Sequence, residues 1–221
     1  MSQGRTIAST LDHLVFLPES DGKSFPTIIA MHGRGADEND LPPVLLALEI
    51  PNLLIVTPRA PFALPYGGYV WYDFGQEAMP DQETFRTGIR LLEKFVEEVK
   101  AGYPVDPKRL ILMGFSQGAM MAYAVGLVNP PQSRGIAALS GYIPQLSNLP
   151  LQLHNLAGFP IFISHGENDP VIPVRFGREA EKLLTGAGAN VTYREYAMGH
   201  EIREETIRDL KQWLTQVLQL P

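Results

Sequence analysis

The chain has 221 residues, of which 45% are hydrophobic, and carries a formal net charge of -6 at pH 7. A chain of this length and composition can bury one substantial core, so we expect a single domain spanning residues 1–221. The negative charge argues against nucleic acid as a partner, and the absence of cysteine excludes disulfides, thiolate metal sites and a cysteine nucleophile.

The N-terminal segment MSQGRTIAST lacks the apolar core of a secretion signal. No apolar run in the sequence is long enough to cross a bilayer as a helix. We therefore expect a cytoplasmic protein without stable membrane insertion.

The first quarter of the chain predicts three strands and one short helix. Residues 11–17 favour an edge strand, and the continuous apolar run at residues 25–31 favours a strand buried on both faces. A second buried strand is predicted at residues 52–57. Between these two, the polar stretch at residues 37–40 is expected to cap a helix at residues 42–48.

A long irregular segment precedes the clearest helix. Residues 58–81 are rich in proline, glycine and aromatic residues, and a loop of this length in a compact domain is usually functional. The helix that follows carries apolar residues at spacings of three and four on one face, and it is expected to end near Gly102. These apolar residues are Phe85, Ile89, Leu92, Val96 and Val99.

The middle of the chain predicts a strand, a sharp turn and a buried helix. Apolar residues 109–113 favour the strand, and residues 117–128 favour a helix that is apolar on every side and stops before two prolines. The turn at residues 114–118 has the sequence Gly-Phe-Ser-Gln-Gly. Such a G-x-S-x-G turn exposes its serine, here Ser116, and places the backbone N–H of Gln117 at a helix N-terminus, where a developing oxyanion is stabilised.

The last third of the chain alternates strands and helices. The predicted elements are a strand at 135–139, a loop at 142–158, a strand at 160–164, a helix at 173–185, a strand at 191–196 and a closing helix with an apolar stripe of Ile207, Leu210, Leu214 and Val217. Apolar strands that alternate with helices predict an α/β fold whose mostly parallel sheet is covered on both faces. Ligands of such folds bind beyond the carboxyl ends of the strands.

Several polar segments follow apolar strands and should meet at that edge of the sheet: Ser116, the turn at residues 32–35, Asp169 and His200. A serine hydroxyl needs a base to take its proton and an acid to orient that base. The G-x-S-x-G turn predicts the chain order serine, acid, histidine, and only His200 lies beyond Asp169. His200 is therefore the predicted base.

Two carboxylates compete for the role of the acid. Glu167 and Asp169 both follow the strand predicted at residues 160–164. We choose Asp169 because it precedes Pro170, which favours extended backbone, and lies nearer the tip of the loop. Spacing alone does not separate two carboxylates so close together, so Glu167 stays as the alternative.

The other histidines are not expected to act as bases. We expect the imidazole of His165 to bond loop backbone, with a role in lining the site as the alternative. His32 begins a turn that resembles the oxyanion-forming turn of esterases, in which the donor would be the backbone N–H of Arg34. His13 and His154 are expected at the surface.

Aromatic side chains in the long segment suggest a substrate pocket. Trp71, Tyr72 and Phe74 fit either the core or an apolar pocket wall, and the sequence leaves both interpretations open. The predicted substrate-binding residues are Leu64, Trp71, Phe74, Phe115 and Ile172. Because sheet, helices and short connections account for nearly every residue, we expect no cap domain over this pocket.

Taken together, these residues resemble the phospholipase/carboxylesterase family of α/β-hydrolases, which includes small bacterial carboxylesterases and acyl-protein thioesterases. The resemblance rests on residues 114–118, on His165 and Gly166 with residues 169–173, on residues 199–201 and on residues 71–73. It extends from residue 28 to the end of the chain.

The resemblance implies hydrolysis of carboxylic or thioester acyl groups without a metal or another cofactor. It implies Ser116, Asp169 and His200 as a catalytic triad, and the backbone N–H groups of Arg34 and Gln117 as an oxyanion hole.

The chain departs from the family pattern at two positions. The family usually has leucine at the position of Arg34 and a second glycine at the position of Ala119. A backbone donor survives either change, so the departures leave the oxyanion assignment intact. The side chain of Arg34 bears instead on acyl specificity.

We therefore expect a serine carboxylesterase that cleaves small-molecule esters of short to medium acyl chains through an acyl-enzyme. A homodimer is the oligomeric state to consider. Two alternatives stay open: an acyl thioesterase or lysophospholipase-type activity, and a non-catalytic α/β-hydrolase that serves as a binding protein. The intact serine, acid and histidine argue against the second alternative.

Overall fold

Eight strands form one sheet, and two short strands form a hairpin. The computed structural model describes residues 2–20, 22–75, 80–128, 130–144, 149 and 151–220. In chain order the strands are β1 Ser2–Gln3, β2 His13–Leu17, β3 Phe25–Met31, β4 Leu54–Pro58, β5 Phe62–Ala63, β6 Tyr69–Val70, β7 Val105–Phe115, β8 Gly135–Leu139, β9 Pro160–Gly166 and β10 Asn190–Tyr196. The helices are α1 Pro42–Leu46, α2 Gln82–Gly102, α3 Gln117–Val128, α4 Arg175–Gly186 and α5 Glu204–Val217.

The large sheet is mostly parallel. Its strand order is β1-β2-β4-β3-β7-β8-β9-β10; β2 pairs antiparallel with both β1 and β4, whereas every later pair of neighbours is parallel. Strands β3, β4, β8 and β9 are buried at every residue, because helices cover both faces of the sheet. The predicted α/β architecture is confirmed.

Each face of the sheet has its own hydrophobic core. Helices α2, α3 and α4 pack on one face, and helices α1 and α5 pack on the other. Neighbouring residues of β3 alternate between the cores, so that Ile29 joins the first core and Ile28 the second. The two cores hold the parallel strands with their carboxyl ends at one edge, where the turns that follow them come together.

Helix α1 is not capped as predicted. Its N-cap residue is Leu41, which makes no side-chain cap, so the predicted capping by residues 37–40 is wrong. The carboxylate of Asp37 instead accepts a hydrogen bond from the backbone N–H of Asn39 at 2.8 Å. Pro42 occupies the start of the helix, and because proline has no N–H, one of the donors that a cap would satisfy is missing.

The long segment at residues 58–81 contains a small hairpin. Strands β5 and β6 pair antiparallel, and Tyr69 exchanges backbone hydrogen bonds with the turn after β3: its carbonyl accepts from Gly35 at 2.8 Å, and its N–H donates to Ala36 at 2.9 Å. Glycine is required at residue 68, since its φ is +75° and a Cβ there would lie 1.9 Å from the Gly35 carbonyl oxygen. The hairpin therefore braces the predicted oxyanion turn.

Some predictions fall on residues whose structure is not described. The residues outside the description include residue 21, residues 76–79 of the long segment, residue 129 after the buried helix, and residues 145–148 and 150 of the later loop. In the described residues between β8 and β9, the only regular element is a 3-10 turn at Leu153–Asn155, so no cap domain is seen there. No described helix is both long and apolar enough to span a membrane.

Helix α2 makes a close backbone contact with the segment before it. A Cβ at Gly88 would lie 2.3 Å from the carbonyl oxygen of Trp71. Only glycine permits this distance, so α2 and the Trp71 backbone meet without an intervening side chain.

We predict that Gly88→Ala lowers the free energy of unfolding by about 1–3 kcal/mol, because the new methyl group must displace the Trp71 backbone. This loss must also exceed the gain of up to ~1 kcal/mol that alanine brings inside a helix. Urea unfolding of Gly186→Ala is the matched control, since nothing lies within 4 Å of a Cβ at that glycine. Equal stability of the two variants would contradict the importance of the contact.

Candidate active site

Ser116 lies on a strained turn between β7 and α3. Its φ is +55°, which is uncommon for a residue with a side chain, and its backbone N–H donates to the Leu139 carbonyl at 2.9 Å. The flanking glycines make the turn possible: a Cβ at Gly114 would lie 2.1 Å from backbone atoms of Gly118, and a Cβ at Gly118 would lie 2.1 Å from the Met31 carbonyl oxygen. These are the features expected of a nucleophile elbow.

A continuous chain of hydrogen bonds runs from Ser116 to Asp169. The Ser116 hydroxyl lies 2.8 Å from Nε2 of His200, and Nδ1 of His200 lies 2.6 Å from Oδ2 of Asp169. A neutral imidazole can satisfy both contacts only with its proton on Nδ1, which donates to the carboxylate and leaves Nε2 as the acceptor for the hydroxyl. The structure thus brings together the predicted nucleophile, base and acid.

The structure separates the two candidate acids. Asp169 is buried and its Oδ1 accepts backbone hydrogen bonds from Val171 and Ile172, both at 2.8 Å. Oδ2 is therefore left to face His200. Glu167 is exposed, and no contact between its side chain and His200 occurs among the described residues.

The turn that carries His200 is held against the end of β9. A Cβ at Gly166 would lie 2.1 Å from the Gly199 carbonyl oxygen, and the Asn168 backbone N–H donates to the Met198 carbonyl at 3.1 Å. On its other side, the His200 ring packs on the ring of Phe115, with centroids 4.8 Å apart. Backbone contact and ring packing together orient the imidazole.

His165 supports the acid loop from below, as predicted. Its side chain is fully buried, and its Nε2 lies 2.7 Å from the Ile172 carbonyl, to which it donates. Its Nδ1 has no hydrogen-bond partner among the described residues. Burial lowers the pKa of His165 below the ordinary histidine value, so the ring is neutral near neutral pH.

His32 anchors the turn after β3. Its Nδ1 donates to the Gly33 carbonyl at 2.7 Å, its Nε2 accepts from the Ala60 backbone N–H at 3.0 Å, and its carbonyl accepts from the Trp71 indole N–H at 2.9 Å. Burial lowers the pKa of His32 as well. A neutral, fully bonded imidazole holds this turn beside the elbow.

The predicted oxyanion donors lie on either side of Ser116. A Cβ at Gly33 would lie 3.4 Å from the Ser116 Cβ, which shows how closely the turn with Arg34 approaches the serine. Within the described residues, neither the Arg34 nor the Gln117 backbone N–H makes a hydrogen bond. Both donors are therefore free to bind a substrate oxygen.

The side chain of Gln117 has a role that the sequence did not indicate. Its Oε1 accepts from the Trp71 backbone N–H at 2.9 Å, and its Nε2 donates to the Tyr72 carbonyl at 2.8 Å. The first residue of α3 thereby fixes the backbone of Trp71 and Tyr72, which leads to the exposed Phe74. The only available signal was a polar side chain at the start of an otherwise apolar helix.

The predicted substrate-binding residues do not all reach the site surface. Leu64 and Phe115 are partly exposed, Phe74 is 42% exposed and Ile172 is 9% exposed. Trp71 has no exposed surface, so its prediction as a pocket residue is corrected: it belongs to the core, where its indole N–H bonds the His32 carbonyl. Tyr72 is fully buried too.

Two aromatic residues near the site were missed. Tyr142 and Phe176 are partly exposed, and their ring centroids lie 5.3 Å apart. The backbone of the neighbouring residue Gly141 approaches the elbow, since a Cβ there would lie 3.2 Å from the Ser116 carbonyl oxygen. Tyr142 follows the carboxyl end of β8, and that position was the signal that could have identified it.

Charged groups of the site do not form a metal centre in the described part of the chain. No group of three or more histidine, aspartate or glutamate side chains there is arranged to hold a metal ion.

Comparison with known proteins identifies a family and a fold. A family model described as Phospholipase/Carboxylesterase matches residues 14–218. Acyl-protein thioesterase 1 of Debaryomyces hansenii is 30% identical over 171 residues, which cover 75% of this chain and 73% of that protein.

Solved structures agree with this match. Esterase PE8 is 27% identical with a TM-score of 0.81, over 94% of this chain and 98% of its own. The Bacillus cereus carboxylesterase is 25% identical with a TM-score of 0.82, over 94% of each chain. The α/β-hydrolase fold is therefore confirmed.

Three buried histidines should make the free energy of unfolding depend on pH. His13 was expected at the surface, but it is 6% exposed and its Nε2 bonds the Tyr103 hydroxyl at 2.7 Å, so that expectation is wrong. Burial is the largest cause that lowers the pKa of His13, as it is for His32 and His165. Below the ordinary value of 6.5, the unfolded chain therefore binds protons that the folded chain does not.

We expect the free energy of unfolding to be greatest above that pH and to fall as the solution is acidified toward the lowered pKa values. Urea titrations at several pH values between about 7.5 and 5.5 measure this slope. His165→Gln should reduce the slope, since it removes one of the titrating groups. His154→Gln, at an exposed histidine, is the control and should keep the slope of the original protein; identical slopes in all three proteins would refute the assignment.

Proposed function

This chain belongs to the phospholipase/carboxylesterase family of hydrolases, and we propose that it cleaves carboxylic esters of short to medium acyl chains through an acyl-enzyme on Ser116. One observation carries the proposal: the unbroken hydrogen-bond chain from the Ser116 hydroxyl through His200 to Asp169, at a serine held with positive φ. A serine without such a base is a poor nucleophile at neutral pH.

In the first half of the reaction, the Ser116 oxygen attacks the ester carbonyl carbon while its proton passes to Nε2 of His200. The imidazolium that forms is stabilised by the Asp169 carboxylate, which already accepts from Nδ1. The Oδ1 of Asp169 accepts two backbone hydrogen bonds, which keep Oδ2 directed at the imidazole during the reaction.

Negative charge develops on the carbonyl oxygen as the tetrahedral intermediate forms. The Arg34 and Gln117 backbone N–H groups are the proposed oxyanion hole, since both are free of protein acceptors among the described residues. The Gln117 donor also lies at the N-terminus of α3, where the helix dipole favours an anion.

Collapse of the intermediate breaks the bond to the alcohol oxygen, which takes the proton from Nε2 of His200 and leaves. Water then attacks the carbonyl carbon of the Ser116 ester and gives a proton to the same nitrogen. Collapse of this second intermediate releases the acid as the Ser116 oxygen takes the proton back from Nε2. Each half-reaction needs one proton carrier, and His200 is placed to serve both.

The limited apolar surface near the elbow supports a limited acyl length. This surface includes Leu64 and Phe115, which are partly exposed, and Phe74, which is exposed; the described residues between β8 and β9 include no cap that would extend it. Burial of an acyl chain on such a wall contributes about 0.8 kcal/mol for each CH₂ until the wall is covered.

A second function is favoured by the relatives. The proteins from Debaryomyces hansenii and Yarrowia lipolytica, which are 30% and 31% identical to this chain, are both acyl-protein thioesterases. The same nucleophile and oxyanion hole would cleave a thioester, so thioesterase or lysophospholipase-type activity is the alternative. A non-catalytic binding role is the weaker alternative, given the complete triad. The single domain and the homodimer stay predictions.

A fluorophosphonate probe tests the nucleophile, and the rate of ester hydrolysis by an Asp169 variant tests the acid. We expect it to label Ser116 alone, as mapped by peptide mass spectrometry, and not to label Ser116→Ala. Asp169→Asn should slow ester hydrolysis by up to roughly 10⁴-fold, because an amide can hold His200 in the wrong tautomer. Glu167→Gln is the matched control and should have little effect; the opposite ranking would make Glu167 the acid.

The acyl preference can be measured with p-nitrophenyl esters of increasing length. We expect kcat/KM to rise from acetyl to butyryl or hexanoyl and then to level or fall, without activation when the substrate forms micelles. Matched oxygen and sulfur esters of the preferred acyl group decide between esterase and thioesterase. A continuing rise to long chains, or activation at a lipid interface, would shift the function toward lipase.

A further inference from the structure

The backbone and the side chain of Arg34 both lie at the proposed site. Its backbone N–H is one of the proposed oxyanion donors, and its side chain is exposed at the rim of the site. The guanidinium lies over the ring of Phe74, 5.7 Å from the ring centroid. Phe74 in turn packs on Tyr72, whose backbone is held by the first residue of α3. The Arg34 guanidinium is thus supported by Phe74 and Tyr72, and the backbone of Tyr72 is held by α3.

The guanidinium of Arg34 has no ion-pair partner in the described part of the chain. Among the described residues, no carboxylate lies within ion-pair distance of its guanidinium, whereas Arg59, Arg178 and Arg203 each pair with a glutamate. A carboxylate paired with the Arg34 guanidinium would weaken the attraction of that guanidinium for an anionic ligand. Arg34 therefore presents an available positive charge in a chain whose net charge is negative.

The geometry of the reaction places a substrate close to this charge. An ester whose carbonyl oxygen accepts from the Arg34 N–H must lie within one arginine side chain of the guanidinium. The Phe74 ring lies within cation–π distance of the guanidinium, and this attraction favours the observed position of the charge. A guanidinium held in this way offers parallel N–H donors that match a carboxylate.

We propose that Arg34 makes this enzyme selective for esters that carry a carboxylate beside the scissile bond. The inference rests on the proposed esterase function and names its substrate class. A single arginine matches a single negative charge, so a monoanionic ester, such as the half-ester of a dicarboxylic acid or an ester of a hydroxy acid, is the expected substrate.

The carboxylate has two possible sources, the acyl chain and the alcohol, and each has its own substrate pair. For the acyl side, mono-p-nitrophenyl adipate is compared with p-nitrophenyl hexanoate, which has the same chain length and leaving group but no charge. For the alcohol side, the hexanoyl ester of 4-hydroxybenzoate is compared with that of methyl 4-hydroxybenzoate.

The quantity to measure is the ratio of kcat/KM for the charged ester to that for its neutral partner. The ratio is used because the backbone N–H of Arg34 is itself a proposed oxyanion donor, so a substitution there can slow the hydrolysis of every ester. Such a general loss affects both esters of a pair equally and cancels in the ratio. We expect Arg34→Met to lower the ratio by about tenfold or more for one of the two pairs, the usual range for a lost charged hydrogen bond. Arg34→Lys, which keeps the charge without the planar fork, should retain part of the ratio.

Arg134→Met is the matched control. It removes the same charge from an exposed arginine just before β8, at the amino end of the strands and away from Ser116. Its ratios should equal those of the original protein. Higher ionic strength should lower the ratio of the original protein toward that of Arg34→Met, which tests the proposal without any substitution.

The outcomes separate this inference from the proposed function. If the neutral esters are cleaved and both ratios are the same in the original protein, Arg34→Met and Arg134→Met, the esterase function stands and the role of Arg34 is refuted. If Ser116 is not labelled by the fluorophosphonate probe and no ester is cleaved, the esterase function is refuted and the selectivity with it.

Discussion

The close approach of helix α3 to the end of strand β3 is the constraint on which the site depends. At Gly118 a single methyl group would lie 2.1 Å from the Met31 carbonyl oxygen, so helix and strand meet backbone to backbone. This contact tightens the elbow and holds Ser116 at positive φ. It also brings the turn with Arg34 beside the serine, so the proposed nucleophile and the proposed oxyanion donors are positioned by one packing contact.

Buried polar groups hold Asp169, the proposed acid, in place beside His200, the proposed base. His165 bonds the Ile172 carbonyl, and the backbone N–H of Ile172 bonds Asp169, so the acid loop is closed around a neutral imidazole. A buried polar group without a hydrogen bond destabilises the folded protein, so an arrangement of the loop that breaks these contacts is unfavourable. The carboxylate is thereby oriented toward His200 before any substrate binds.

Local patterns predicted most of the regular structure. The period of the apolar residues identified α2, and the apolar run that stops before two prolines identified α3. Continuous apolar runs identified the strands buried on both faces. The predictions failed where a polar side chain could bond either a neighbour in the chain or a residue distant in the sequence. His13 has no pattern that marks burial, yet it lies between Phe95 and Tyr103, residues about 80 or 90 positions away in the chain. The predicted cap of α1 failed because Asp37 bonds within its own turn.

The sequence by itself determined the fold class, the serine on its glycine-flanked turn and the order in which acid and histidine follow it, because each depends on residue type and neighbours in the chain. Only the tertiary structure decided which carboxylate faces His200, since Glu167 and Asp169 differ in direction and not in spacing. It also moved Trp71 from the pocket to the core and set Arg34 over Phe74. Those contacts join distant segments, and their geometry follows from packing that no local pattern contains.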